Sequence, residues 1–299
     1  MADDVIAAAL LMTTPVLLAA IGGLLHRVSG VVNIGLDAMM LVGALAAFLV
    51  SAATASWLAG LLAAILVGGA MGLAMSMLIT RLGANEIIVG LGFNIAFAGL
   101  VRFALKAGFG VSGTLTRPDV VMLPRLVVPW LRDVPIIGAL VSGHDPLTWL
   151  AWALVPATAF LLARTRMGLR LRAAGAAPAA ARAIGLRPRA LRDAAGLAAG
   201  VLAGLGGAHL SIGVVGVFSE GITGGRGFLA LAAFYFGRSR PLPTALGALL
   251  FGVFDALQIR LQGRGVSADL VQTLPYLVVI LVLAGMALAE RRRLHGVRP

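Results

Sequence analysis

The sequence predicts an all-α polytopic membrane protein of about 8–10 transmembrane segments, each needing roughly 20 apolar residues to cross a bilayer. Three observations carry that prediction. Of the 299 residues, 60% are hydrophobic and only 12% are charged, where a soluble domain carries roughly a quarter charged residues. The mean hydropathy is +1.00, so lipid must be part of the solvent. The apolar residues also fall into long runs, separated by short connections that hold most of the arginines.

Taken in order, the runs cover about 5–25, 31–53, 57–80, 84–105, 147–163, 194–215, 227–237, 242–260 and 269–289. Most are long enough to span, whereas 227–237 reads as a half-helix or re-entrant piece. The N-terminus opens Met-Ala-Asp-Asp. A secretory signal needs a basic start and a small-residue cleavage site, so the first run is expected to stay as a helix. The stretch 107–145 contains Pro118, Pro124, Pro129 and Pro135 and no helical period. It is expected to be an external loop lying against the membrane, with one short interfacial helix. The chain is read as one transmembrane domain, residues 1–299.

Orientation follows from the basic residues, which accumulate on cytoplasmic loops. The segment 164–192 holds Arg164, Arg166, Arg170, Arg172, Arg182, Arg187, Arg189 and Arg192. Placing it in the cytoplasm and alternating outward also puts Arg27, Arg81, Arg238, Arg240, Arg291, Arg292, Arg293 and Arg298 inside. Only two acidic residues, Asp193 and Glu290, share that side. Trp57, Trp130, Trp149 and Trp152 then all fall at the external boundary, where an aromatic belt is expected. The expected topology is N-out, C-in. Because the charges lie between spans and not on one soluble face, the net charge of +12 does not point to nucleic acid.

The loop Gly175-Ala-Ala-Pro-Ala-Ala-Ala-Arg-Ala-Ile-Gly185 carries the sharpest local signal. Pro178 occupies a first helical position, Arg182 continues the turn and Gly185 ends it, the usual asymmetry of a short helix. Pro188 then opens a second helix. A two-turn helix bounded this way, between two spans, suits a partner's grip. In the next span Gly196, Gly200 and Gly204 lie four apart, and Gly68 and Gly72 repeat the spacing earlier. Such stripes admit close helix–helix approach, which lipid-embedded packing rewards.

Polar residues at membrane depth are costly and are therefore functional candidates. Residues 29–37, Ser-Gly-Val-Val-Asn-Ile-Gly-Leu-Asp, interrupt an apolar run. Asn85, Glu86 and Asn94 open the fourth run, and Asp255 and Gln258 lie one turn apart in the eighth. Broken helices of this kind line cavities in transporters. The plainer alternative is structural pairing, for example of Asp37 with Arg102. Gly221, Gly224, Gly225 and Gly227 around Arg226 form a glycine-rich turn that could offer amides to an anion.

Enzymatic readings fare poorly. There is no cysteine, which removes disulfides, thiol catalysis and Cys-type zinc sites. The sole lysine, Lys106, follows Leu105 and not a glycine, so no Walker pattern is present and ATP hydrolysis is expected to need a separate polypeptide. His26, His144, His209 and His295 show no zinc-protease spacing. Asp37 and Asp255 lack the glycine context of an intramembrane aspartyl dyad. His209 and Ser211, two apart on one helix, do not face each other. Neither catalytic, metal nor cofactor residues are expected.

Several stretches together resemble the ABC permease family that serves branched-chain amino acids, ribose-type sugars and nucleosides. They are Ser29-Gly-Val-Val-Asn-Ile-Gly-Leu-Asp-Ala-Met39, Ala84-Asn-Glu-Ile-Ile-Val-Gly90, Leu171-Arg-Ala-Ala-Gly175 with Ala179-Ala-Ala-Arg-Ala-Ile-Gly-Leu186, Ala198-Ala-Gly-Val-Leu-Ala-Gly-Leu-Gly-Gly207, and Gly225-Arg-Gly-Phe-Leu-Ala-Leu-Ala-Ala233. The form is most similar to the shorter of the paired nucleoside/simple-sugar permeases. The resemblance implies a type II importer fold in a bacterial cytoplasmic (inner) membrane. It further implies an ABC ATPase subunit, a second and paralogous permease, and an extracytoplasmic substrate-binding protein, working by alternating access on a small polar solute.

On that resemblance 175–186 is the coupling helix, with Gly175, Pro178, Arg182 and Gly185 as its marks. The pathway candidates are Asn33, Asp37, Glu86, Asn94 and Phe228. One departure is Ala176-Ala177, where the family usually has a polar pair; docking would rest more on Arg182 and backbone. The alternatives are a branched-chain amino acid permease of the same family and an ion-coupled secondary transporter. The latter predicts an inverted repeat, and none is evident.

Overall fold

The computed structural model describes residues 2–127, 140 and 142–262. The expected last span at 269–289, the basic tail, Trp130, Pro129 and Pro135 lie outside the described residues. The helices are α1 (Ala2–Val28), α2 (Leu36–Thr54), α3 (Trp57–Thr80), α4 (Glu86–Phe109), α5 (Pro146–Arg164), α6 (Arg166–Ala176), α7 (Pro178–Ala183), α8 (Pro188–Ala208), α9 (Arg226–Phe236) and α10 (Pro241–Gln262). A π-helical turn, His209–Val215, extends α8. Among the described residues, 7 helices are long and apolar enough to cross a membrane, and α9 is a shorter apolar helix. The expected half-helix at 227–237 is thus present as α9.

Local chemistry sets the helix boundaries. Ser56 caps α3 by accepting the Ala59 amide, Asn85 caps α4 by accepting the Ile87 and Ile88 amides, and Asp145 caps α5 ahead of Pro146. Short polar side chains at these positions satisfy amides that have no intrahelical partner. Pro188 opens α8 and Gly110 closes α4 in the left-handed conformation.

The helix α1 runs through the middle of the bundle, with Val16 through Ile21 fully buried, against α5, α8, α9 and α10. The most intimate contact pairs α3 with α8. Gly68 and Gly72 meet Gly196, Gly200 and Gly204 backbone to backbone. A methyl on Gly200 would overlap the Gly68 carbonyl, and one on Gly196 would lie 2.5 Å from the Ser76 Cβ. The two glycine stripes read from the sequence are therefore partners in one seam.

At the end of the bundle that holds Trp57, Trp149 and Trp152, the stretch after α4 is pinned to the helices. Two-residue strands β1 (Thr114–Leu115) and β2 (Phe218–Ser219) pair antiparallel, a small exception to the all-α expectation. Ser51 Oγ donates to the Val121 carbonyl, and the Leu123 amide donates to the Ile212 carbonyl. The described part of the stretch, through Leu123, thus packs on the bundle, because its backbone finds partners there. At the opposite end Arg81 pairs with Asp193 at 2.8 Å, and the arginine-rich segment 164–192 is largely helical, forming α6 and α7.

Candidate functional site

Between α1 and α2 the chain abandons the helix over 29–35, and this break lies along one face of α4. The Val32 amide donates to Glu86 Oε2 at 2.8 Å. Asn94 grips the far end with both ends of its amide. Its Nδ2 donates to the Ile34 carbonyl, and its Oδ1 accepts the Ala38 amide, each at 3.0 Å. Between them Gly90 leaves no room for a side chain, since a Cβ there would sit 2.6 Å from the Ile34 Cβ and 3.1 Å from the Gly35 amide. Glu86, Gly90 and Asn94 recur every four residues and so share a helical face. The backbone groups freed by breaking the helix are re-satisfied by a neighbouring helix, as membrane burial demands.

Asp37 closes the other side of the break. Its Oδ1 accepts the Gly227 amide at 3.0 Å and its Oδ2 accepts the Thr223 hydroxyl at 3.1 Å. The carboxylate thus sits in the first turn of α2 and at the N-terminus of α9, where two helix dipoles favour negative charge. The glycine-rich turn does present an amide to an anion, and that anion is the chain's own Asp37. Arg226, in the same turn, reaches Asp255 on α10 at 2.9 Å. The pairing of Asp37 with Arg102 does not occur. Arg102 instead pairs with Glu220 at 2.8 Å, because it lies about two turns beyond Asn94 on α4, beside the β1–β2 pair. The Gly113 amide and the Arg102 guanidinium hold the Glu220 carboxyl below its usual range. Asp37 and Asp255 each have their own donors and do not act as a shared-proton pair.

Four of the five pathway candidates, Asn33, Asp37, Glu86 and Asn94, therefore converge on one segment. Phe228 follows Gly227 at the Asp37 cradle and is 41% exposed. Asn33 is fully buried; its Nδ2 faces the Met39 sulfur at 3.6 Å and its Oδ1 has no hydrogen-bond partner. Sequence reasoning missed Thr223, and it quoted Gly90 within a motif without a role, which shows only once what it faces is known. It named Arg226 and Asp255 separately without pairing them.

A second polar cluster lies at the opposite end of the bundle. Buried His209 meets Asp145 at 3.0 Å, Asp145 accepts the Thr148 hydroxyl, and Thr14 donates to Thr148 at 3.1 Å. Burial opposes the Asp145 charge, but the hydrogen bonds from His209 and from the Thr148 amide and hydroxyl outweigh it, so the carboxyl lies below its usual range. His209 and Ser211 turn to different partners, Ser211 donating to the Ala44 carbonyl.

The expected two-turn helix is present as α7, with Pro178 at its first position and Gly185 after it at φ +82°. Only Ala181 is buried, and Arg182 and Ile184 face outward. Gly175, just before α7, packs on the start of the break: a Cβ on it would overlap the Val28 carbonyl and lie 3.0 Å from the Gly30 amide.

The sequence matches the family described as branched-chain amino acid transport system / permease component over residues 5–283. It is 32% identical to the nucleoside ABC transporter permease protein NupC of Lactococcus lactis, over 96% of this chain and 94% of that one. It is 30% identical to the guanosine ABC transporter permease protein NupQ of Bacillus subtilis, over 98% and 95% of the two chains. TsgC13 of Haloferax volcanii, provisionally named a glucose ABC transporter permease, is 32% identical over 91% of this chain and 88% of that one. No solved structure gave a significant match.

Proposed function

This chain belongs to the branched-chain amino acid transport system permease family and is a multi-pass ABC permease of the bacterial cytoplasmic membrane, and from that premise we propose its cargo, partners and orientation. The cargo is a nucleoside or simple sugar, in line with the relatives named for nucleosides, guanosine and glucose. The observation that carries the reading is the polar break at 29–35, held by Glu86 and Asn94 and flanked by the Asp37 cradle. A hydroxyl-rich solute matches a wall of amides and carbonyls better than an aliphatic one does. Phe228 adds a half-exposed ring face on which a base or sugar could stack.

In this reading Asp37 and Phe228 lie nearest the solute and the buried Asn33 is reached when the break moves, while Glu86 and Asn94 hold the break in shape. The terminus before α1 is extracytoplasmic and 164–192 is cytoplasmic, because the arginines collect there. The exposed face of α7 docks into an ATPase subunit through Arg182, with Gly175, Pro178 and Gly185 fixing the helix. ATP hydrolysis belongs to that subunit. A second permease and an extracytoplasmic binding protein complete the importer, and the bundles rock to expose the pathway to either side.

The test is uptake of radiolabelled guanosine, ribose, glucose and leucine by cells carrying the chain with its operon partners, beside Arg182→Glu at matched membrane expression. Saturable uptake of a nucleoside or sugar, lost in Arg182→Glu, is the expected result. Leucine as the favoured solute would overturn the cargo. Uptake that survives ATP depletion and follows a proton or sodium gradient would overturn the ATP-driven reading.

A further inference from the structure

The arginine-rich segment contains one guanidinium that is spent on backbone instead of charge. Arg192, in the second turn of α8, donates from Nε to the Ser29 carbonyl at 3.1 Å and from Nη2 to the Ala174 carbonyl at 3.2 Å. Ser29 begins the break, and Ala174 lies in the last turn of α6. Arg192 therefore joins three segments: the helix before α7, the helix after it, and the non-helical stretch that carries Asn33 and Asp37. The planar fork of arginine is what permits this, since two donors leave it in fixed directions.

The same point is tightened by backbone contact. Gly30 adopts φ +95°, and a Cβ on it would meet the Gly175 Cα at 2.9 Å and Arg192 Nη2 at 3.1 Å. No side chain intervenes between the α6 terminus and the break. The neighbouring Asp193 turns the other way, accepting from Ser76 and Thr80 on α3 and from Arg81 just after it. Successive residues of α8 thus separate two jobs: Asp193 fastens α8 to the α3 scaffold, and Arg192 fastens it to the break. Only three residues separate Ser29 from Asn33, and Val32 is already held by Glu86. A displacement of α6 or α8 at this point has almost no slack chain in which to dissipate.

We infer that Arg192 is a positioning residue that transmits movement of the α7 region into the 29–35 break, linking the ATPase-facing end to the solute-facing segment. The inference rests on the proposed docking role of α7. It differs from that role in kind, because Arg192 touches no partner in this scheme: Arg182 grips, and Arg192 conveys. Losing the grip and losing the link have different signatures. Arg182→Glu should release the ATPase and lose hydrolysis stimulation together with uptake. Arg192→Gln should keep the complex assembled and hydrolysing but weaken the connection between hydrolysis and transport.

The experiment reconstitutes the full chain with its ATPase, second permease and binding protein in proteoliposomes. It measures ATP hydrolysis and uptake of the solute that the wild-type complex carries, for wild type, Arg192→Gln and Arg192→Lys, with assembly checked by size-exclusion chromatography. The expected result is hydrolysis near wild type with uptake per ATP reduced about tenfold in Arg192→Gln. Arg192→Lys should fall between, since an ammonium keeps the charge but cannot span both carbonyls in a fixed fork. An unchanged ratio of uptake to hydrolysis in both variants overturns the inference. So does a parallel fall of uptake, hydrolysis and assembled complex, which would make Arg192 a purely structural tie. A wild-type complex with no ATP-dependent uptake would instead count against the permease reading itself, before any variant is compared.

Discussion

Two helices of similar length, α4 and α8, receive opposite treatment in this molecule. In the α8 span 72% of the most apolar 18 residues are buried inside the bundle, against 11% in α4. The α8 helix is lined with glycines that press on the backbones of α2 and α3. The α4 helix shows Ile88, Ile95 and Phe103 to its surroundings, each more than two-thirds exposed, and gives the rest of the chain the face of Glu86, Gly90, Asn94, Val101 and Leu105. One helix is a packing element and the other is a splint for the break. Since lipid is as apolar as leucine, the outward side chains of α4 lose little by facing it, while its inward face joins the polar groups at the break to Val101 and Leu105 packed on α2. In a membrane, then, exposure of apolar surface says little, and the direction of the few polar side chains says where the work is done.

The sharpest way to break this contrast is to put side chains into the seam. At Gly200 a Cβ would already overlap the Gly68 carbonyl and approach the Gly72 amide at 2.8 Å. The obstacle is backbone on both sides, so no rotamer change relieves it. Gly200→Leu should exceed the usual overpacking cost of about 3 kcal/mol and abolish the monodisperse peak of detergent-solubilised protein. A folded, transport-competent Gly200→Leu would mean that α3 and α8 separate more easily than their contact implies.

This seam was legible before any coordinates, because four-residue glycine spacing has one structural meaning in lipid. The spans, the half-helix α9 and the bounded α7 were legible for the same reason: each rests on local pattern. The polar candidates were legible as a set but not in their roles. Asn94 and Glu86 look identical in sequence whether they face a solute or a backbone, and only the three-dimensional register of the break against α4 distinguishes the two. Asp37 was given the wrong partner since its true ones are uncharged, the Gly227 amide and the Thr223 hydroxyl, and charge pairing does not point to them. Arg192 was hidden among seven other arginines of one segment, counted for charge when its geometry was what mattered.

The second prediction concerns that register. Asn94→Ala removes both bonds that hold the Ile34 carbonyl and the Ala38 amide. Each orphaned group costs about 1–3 kcal/mol if nothing replaces its partner, but Asn94 is only half-buried and the break can rearrange. Transport should therefore fall about tenfold through misplacement of the neighbouring groups, with a much smaller loss of thermal stability than Gly200→Leu causes. Asp37→Ala should resemble it, whereas alanine at Asn33 or Phe228 should alter solute affinity more than maximal rate. If alanine at all five positions left uptake intact in well-expressed protein, the break would be scaffold and nothing else.

The smallest effect is expected from repeating the glycine test on α4. Gly92 and Gly99 have nothing within 4 Å of where a Cβ would point, and both lie inside a regular helix. Alanine there removes the helix penalty of glycine, worth roughly 0.5–1 kcal/mol, so Gly92→Ala should hold or slightly raise the melting temperature of the isolated chain. The pairing of the two glycine experiments isolates packing from composition, since the residue type is the same in both. If Gly92→Ala left the isolated chain stable but lowered the yield of the assembled importer, the bare face of α4 would be a subunit surface. If it did neither, that face meets lipid alone, and α4 is held in place by the break it supports, by Val101 and Leu105 packed against α2 and the β1–β2 pair, and by the Arg102–Glu220 pair.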